Sequence, residues 1–225
     1  MNYAIIAAGQ GSRLQSEGVA VPKPLMPLDG RPLIGRLIDI FLSLNSESIS
    51  VIVNEEMTEV QQYLRTRPVQ VIVKSTPSSM HSLYELSHLL KDKFILTTVD
   101  TVFLAEDFRR YAEAWESDAE HDGLMAVTPY IDDEKPLYVE VTPDSLITAF
   151  SDSPGSRYVS GGIYGLKASA LPVLEGCIAR GQSRMRNFQR ALIAAGFKLK
   201  AWKFPKIIDV DHQSDIAKAE AYLNE

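Results

Sequence analysis

A chain of 225 residues, 45% hydrophobic and 23% charged, is long enough to bury a large core and too apolar for a disordered segment, so one globular domain over residues 1–225 is expected. The net charge of −6 excludes a broad nucleic-acid surface, which needs a basic face, and no run approaches the roughly 18–20 apolar residues that cross a bilayer. The one cysteine, Cys177, has no internal disulfide partner, and residues 1–11 lack the basic start and apolar run of a secretory leader, so a reducing cytoplasm is the expected setting, with no membrane partner.

In chain order, residues 3–7, 50–53, 69–73 and 94–99 are short apolar, β-rich runs of the kind buried on both faces of a sheet. Helical spacing fills the gaps. Leu33, Leu37, Ile40, Phe41 and Leu44 form one apolar stripe, Val60, Tyr63 and Leu64 a shorter one, and Leu83, Leu86, Leu89 and Leu90 a third. Alternation of this kind predicts right-handed crossovers between parallel strands, with ligands bound beyond the carboxyl ends of the strands. The loops after Ala7, Val73 and Val99 are therefore expected to line a site. From about residue 122 the runs 124–127, 137–141, 146–150 and 158–166 are separated by Asp, Pro and Gly turns, which predicts a mixed or antiparallel extension. Helices over 168–180 and 183–195, strands over 199–204 and 206–210, and a helix from Ser214 complete the pattern. The expected fold is α/β, a Rossmann-like, mostly parallel mixed sheet flanked by helices.

The first loop reads Ala7-Ala8-Gly9-Gln10-Gly11-Ser12-Arg13-Leu14. Glycines there let several backbone N–H groups turn toward one anion, and Arg13 adds a forked donor for phosphate oxygens. A dinucleotide fingerprint needs a third glycine where Leu14 stands, and no Walker lysine with Ser or Thr follows. Taken alone, the loop also fits a plain strand-to-helix turn. Next comes Pro22-Lys23-Pro24-Leu25-Met26-Pro27-Leu28, whose prolines fix the backbone around Lys23 and argue against a helix. Residues 1–38 carry Arg13, Lys23, Arg31 and Arg36 against Glu17 and Asp29, a locally basic segment in an acidic chain that suits a small anionic ligand. Together, AAGQGSRL and PKPLMPLDGRPLI resemble the N-terminal signature of the nucleoside-diphosphate-sugar pyrophosphorylases and related sugar-phosphate and phosphocholine nucleotidyltransferases.

The resemblance implies a nucleotide-diphospho-sugar transferase type of fold and a residue-by-residue site. Ala7, Ala8, Gly9, Gly11, Ser12 and Arg13 would wrap a nucleoside triphosphate, with Arg13 on the outgoing pyrophosphate and Lys23 at the reacting phosphate. Residues 76–83 resemble the family's small-residue loop, which brings Ser78, Ser79 and Ser82 to the nucleotide. Asp100, after the strand FILTTV, resembles the metal-binding aspartate, and Asp209 and Asp211 of IDVD resemble the second metal site, with Mg2+ as the cation. Arg13, Lys23 and Asp100 are then the expected catalytic residues. Residues 159–164 resemble the family's sugar-binding turn, including Ser160, Gly161 and Gly162. Many sugar-specific members carry a Glu-Lys pair just before it, whereas residues 149–154 here read AFSDSP, so Asp152 and Arg157 are expected to serve the acceptor instead.

The implied reaction transfers a nucleoside monophosphate to a sugar 1-phosphate and releases pyrophosphate. Its nucleophile is already anionic at neutral pH, so positioning and charge neutralisation suffice. Two other readings stand beside it. One is a cytidylyltransferase for phosphocholine or a similar alcohol phosphate, for which Tyr130, Tyr138, Tyr158, Tyr164 and Trp202 would supply an aromatic cage. The other is a non-catalytic nucleotide or sugar-nucleotide sensor. No Gly-x-Ser-x-Gly elbow, Cys-His pair or zinc-like cluster offers a different chemistry. The base, the acceptor and the oligomeric state are not specified by the sequence.

Overall fold

The computed structural model describes residues 1–225 and runs β1 (Asn2–Ala7), α1 (Ser12–Ser16), β2 (Pro27–Leu28), β3 (Arg31–Pro32), α2 (Leu33–Ser43), β4 (Ser48–Val53), α3 (Thr58–Leu64), β5 (Gln70–Val73), α4 (Ser79–Leu86) and β6 (Lys93–Thr98). It continues through β7 (Thr101–Val102), α5 (Ala105–Ser117), β8 (Gly123–Thr128), β9 (Tyr138–Val141), β10 (Ile147–Ser151), β11 (Val159–Lys167), α6 (Leu171–Ala179), α7 (Met185–Ala194), β12 (Leu199–Lys203), β13 (Ile208–Asp209) and α8 (Gln213–Leu223). Strands β5, β4, β1 and β6 are parallel neighbours, as the crossovers predict. At β6 the direction changes. Strand β11 runs antiparallel beside it, β8 runs antiparallel to β11 and parallel to β12, and β9 and β10 form an antiparallel edge. The result is a mostly parallel half joined to a mixed half, flanked by helices.

Both faces of the sheet are buried, which is why its central strands are continuous apolar runs. In β1, Tyr3, Ile5 and Ala7 face a core shared with α2 and α5, while Ala4 and Ile6 face a second core shared with α4, α6 and α7. Aromatic rings tie the first core together: Tyr3 stacks on Phe41 at 4.5 Å, Phe103 stacks on Phe108 at 4.8 Å, and Phe41 meets Phe108 at 5.3 Å. No helix is long and apolar enough to cross a membrane.

Three local expectations need correction. Helix α5 was not anticipated, although Phe108, Tyr111, Ala112 and Trp115 are buried at helical spacing and Glu106 and Asp107 occupy its favourable first turn. Around Lys23 the prolines do not exclude helical geometry, because a single 3-10 turn spans Lys23–Leu25 with Pro24 in its first turn, where no N–H is needed. The strand expected over 206–210 shortens to β13, which leaves the main sheet and pairs with β7, Ile208 opposite Val102 and Asp209 opposite Thr101.

Phe108→Ala removes the ring shared by these stacked aromatics and is expected to cost about 3–5 kcal/mol in urea unfolding. Val71→Ala, on edge strand β5 and 38% exposed, should change stability by no more than about 0.5 kcal/mol.

Candidate functional site

The loops after β1, β5 and β6 meet as predicted and wall a cleft of about 790 Å³. Gly11 adopts φ 64°, and a Cβ there would lie 3.0 Å from the Cβ of Lys23, so glycine permits both the turn and the approach of the Lys23 segment. Ala8, Gly9, Gly11, Ser12, Arg13 and Lys23 line the cleft from one side, and Ser78, Ser79 and Ser82 from the other. Ala7 does not join them. It ends β1 inside the core at 1% exposure, because its position in the pleat points it away from the loop. Ser78 caps α4 by accepting from the N–H of His81, and the Ser82 and Thr76 hydroxyls pair at 2.6 Å.

At the inner end of the cleft, charges alternate. Lys23, 9% exposed, donates from Nζ to Asp100 Oδ2 at 2.5 Å and to Asp211 Oδ1 at 2.8 Å, while Arg13 Nη1 donates to Asp211 Oδ2 at 2.5 Å. Burial works against the charge on Lys23, but the two carboxylates outweigh it and hold its pKa above the usual range. Enclosure likewise works against Asp100, and Lys23 outweighs it, keeping this carboxyl below its ordinary value. Asp209 has no such cation. It lies just beyond this cleft, in the lining of the adjoining one, open to water but hemmed in by protein, and that enclosure, then the charges of Asp100 and Asp211, push its pKa up to about 7. The three aspartates form no closed cluster of three ligands, since Lys23 stands between two of them. Mg2+ does not require one: it takes one or two carboxylates and completes its shell with water and phosphate oxygens. The hard oxygen donors, and the like-charge crowding felt by Asp209, fit that mode of binding.

Two devices fix these acids. The β7–β13 ladder sets Asp209 opposite Thr101, and the N–H of Val210 donates to the Asp100 carbonyl at 3.0 Å. At the start of α8 the N–H groups of Asp211 and His212 donate to Asp215 Oδ2 at 3.1 and 2.8 Å. Glu17, just past α1, accepts from His212 Nδ1 at 2.6 Å and from the N–H of Gln213 at 2.7 Å, which ties the segment bearing Arg13 to the one bearing Asp211.

A second cleft, of about 370 Å³, shares Ser79, Thr98, Asp100 and Asp211 with the first. Its floor is β11, whose pairing with β8 shifts register between Ser160 and Tyr164. Gly162 has φ 71°, and a Cβ there would lie 2.7 Å from Thr101 Oγ1; at Gly161 it would lie 2.4 Å from Ile207 Cδ1. Gly162 in particular, with its positive φ, lets β11 pass this close to the segments bearing the aspartates. Ser160 and Gly162 line the second cleft, and Gly161 lines a small adjoining pocket beside Asp209.

The cations of this cleft are not the expected ones. Arg157 stacks its guanidinium on Tyr158 at 4.7 Å and lies outside the cleft, exposed over the buried ring of its neighbour. Arg184 and Arg186, at the start of α7, line it instead. Asp152 lines a further, outer cleft and is held in ion pairs with Arg186 and with Arg190 Nη2, the latter at 2.7 Å, so it positions cations rather than standing free for a ligand. No sequence motif marks Arg184, whose backbone is at φ 100° and ψ 133°, a conformation that L side chains rarely adopt. The proposed aromatic cage does not assemble. Tyr164 lines the second cleft, Tyr130 the small pocket and Tyr138 the outer cleft, while Tyr158 lies under Arg157 and Trp202 packs edge-on against Tyr111 at 6.4 Å.

A family model described as a MobA-like NTP transferase domain matches residues 3–194. The bifunctional protein GlmU of Methanococcus maripaludis is 22% identical over 99% of this chain, which spans 54% of that relative, and GlmU of Thermus thermophilus is 34% identical over 46% of the chain and 23% of that relative. The chain therefore spans about half or less of the length of these curated relatives. Two solved structures share its fold: the inositol-1-phosphate CTP transferase of T. maritima, with a TM-score of 0.82 and 18% identity, and a putative glucose-1-phosphate thymidylyltransferase of Bacillus anthracis, with a TM-score of 0.87 and 19% identity. Each covers all of this chain and is itself 96% covered.

If Arg184 is held in strained backbone, Arg184→Gly should raise stability by about 1 kcal/mol, the strain of order 1–3 kcal/mol being offset by roughly 0.5–1 kcal/mol of glycine entropy. Urea unfolding reads this directly, and a loss of stability would contradict the strain.

Proposed function

The chain belongs to the MobA-like NTP transferase family, and from that membership we propose that it transfers a nucleoside monophosphate from a nucleoside triphosphate to a sugar 1-phosphate or similar polyol phosphate, releasing pyrophosphate. The observation that carries this reading is the junction of two clefts at Asp100 and Asp211, with a buried lysine between the two acids. One cleft has the donors for a triphosphate and the other has room for an acceptor.

In this reaction the triphosphate lies along residues 8–13, where backbone N–H groups and the Ser12 hydroxyl donate hydrogen bonds to its oxygens. Arg13 exchanges Asp211 for the departing pyrophosphate, and Lys23 takes the α-phosphate oxygens, whose charge grows as the acceptor phosphate attacks in line. Arg184 and Arg186 hold that acceptor phosphate and offset its repulsion from the triphosphate. No general base is required, since the attacking oxygen is already ionised. Mg2+, held by Asp100 with Asp209 or Asp211, supplies further neutralisation of the phosphates when bound.

Asp133, Ser160 and Gln189 line the acceptor cleft and offer partners to hydroxyl groups, which favours a sugar or cyclitol phosphate. The acceptors for which the two structural relatives are named, inositol 1-phosphate and glucose 1-phosphate, are of this class. Two arginines and a single aromatic residue disfavour a quaternary ammonium there. The retained acids and Lys23 favour catalysis over the sensor reading.

The decisive assay is pyrophosphate release with Mg2+, each common nucleoside triphosphate and a panel of sugar 1-phosphates, inositol phosphate and phosphocholine. Acceptor-dependent release is expected, and nucleotide binding without release from any pair would support the sensor instead. In the same assay Lys23→Ala should lower kcat by about 10²–10³-fold in a protein that remains folded by circular dichroism. Arg186→Ala should raise the acceptor KM, whereas Arg157→Ala should leave it unchanged; the opposite pattern would return the acceptor role to Arg157.

A further inference from the structure

The acceptor cleft does not end at Arg184 and Arg186. Both residues also line an outer cleft of about 710 Å³, which continues away from the reacting aspartates. Only one of its eleven lining residues is hydrophobic, so it is not built for an apolar tail. Lys135, Arg184, Arg186 and Arg190 line it together with Glu134 and Asp152, a net positive lining in a chain whose net charge is −6.

Two of the four cations are committed. Asp152 bridges Arg186 and Arg190; Arg186 also donates to the Lys135 carbonyl at 2.9 Å, and Arg190 to the Phe150 carbonyl at 3.1 Å. The Lys135 ammonium and the Arg184 guanidinium have no such partners, and Arg184 belongs to both clefts. A neutral polyol gains nothing from this arrangement, while a carboxylate or phosphate placed beyond the reacting phosphate completes it. Resting on the transferase reading above, we propose that the acceptor carries a second anionic group, beyond the phosphate that attacks, and that Lys135 in the outer cleft reads it, with Arg184 at the seam of the two clefts lying between the two anions. The shared chemistry is a bis-anionic phosphate ester, and the second anion is either a carboxylate or another phosphate.

The test uses matched acceptors that differ by that one group: glucose 1-phosphate against glucuronic acid 1-phosphate and glucose 1,6-bisphosphate, and phosphoethanolamine against phosphoserine. Pyrophosphate release gives kcat/KM for each. The bis-anionic member is expected to be favoured by about tenfold or more, mainly through KM, with a preference that shrinks as salt is raised and collapses toward parity in Lys135→Ala. Which of the two glucose derivatives is favoured separates carboxylate from phosphate. Equal kcat/KM within every pair, or a preference that survives Lys135→Ala, would overturn the inference. Calorimetric binding of the same compounds separates this failure from that of the transferase reading. Tighter binding of the bis-anion that Lys135→Ala abolishes, with no release from any pair, would retain the second-anion site and overturn the transferase; equal binding within every pair would overturn the site.

Discussion

An ammonium group taken out of water costs several kcal/mol unless carboxylates and hydrogen bonds follow it inward. Lys23 is such a group, and satisfying it draws together segments 77 and 188 residues away, which supply Asp100 and Asp211. Much of the local architecture serves that pairing: the 3-10 turn that presents Lys23, the short ladder between β7 and β13, and the capped start of α8. Because Arg13 shares Asp211, the same carboxylate holds both cations of the first cleft. In the proposed reaction phosphate oxygens replace it. That exchange leaves Asp100, Asp209 and Asp211 with less positive charge around them, the condition in which a divalent cation sharing phosphate oxygens is most stabilised. In the proposed reaction a divalent cation and a nucleotide would then answer to one set of charges.

The sheet explains why this set lies where it does. Parallel strands aim their carboxyl ends, and the loops that follow, to one side, which gathers the glycine loop, residues 75–79 and Asp100 into one cleft. Strand β11 enters beside β6 in the opposite direction, so a different set of residues meets the same edge. The register shift at Gly161 and Gly162 allows β11 to pass against Thr101 and Ile207 without side-chain collision. The two clefts thus belong to two halves of one sheet, and in the proposed reaction nucleotide and acceptor would meet where strand direction reverses.

What the sequence disclosed follows from how local each requirement is. A phosphate loop needs glycines and a nearby cation within a few residues, so Gly9, Gly11, Arg13 and Lys23 are legible together, and alternate residues Asp209 and Asp211 on one short segment are legible as a pair. The buried strands announce themselves because both of their faces are apolar. Arg184 and Arg186 carry no comparable signature: they reach the second cleft only because α7 packs across β10 and begins at that edge, a tertiary fact. Arg157 is nearer in sequence to the Ser160 turn yet farther from the cleft, since stacking on Tyr158 offers it a closer partner. Helix α5 is a different kind of omission. Its spacing was present, but its many charges diluted the apolar stripe on one side.

The two ends of the groove hold their cations by different means, and the difference bears on catalysis. Asp211 binds Arg13 and Lys23 from within the first cleft, so a triphosphate bound there as proposed would compete with it directly. Asp152 instead joins Arg186 to Arg190, and both arginines are further anchored to backbone carbonyls. A ligand at that end meets guanidinium groups already fixed in place, with little side-chain entropy left to lose. Arg184 extends the contrast, because strained backbone holds it at the seam of two clefts without a carboxylate to displace. Exchangeable pairing suits the end where charge must move during reaction, and fixed cations suit the end where an acceptor must be held still for in-line attack.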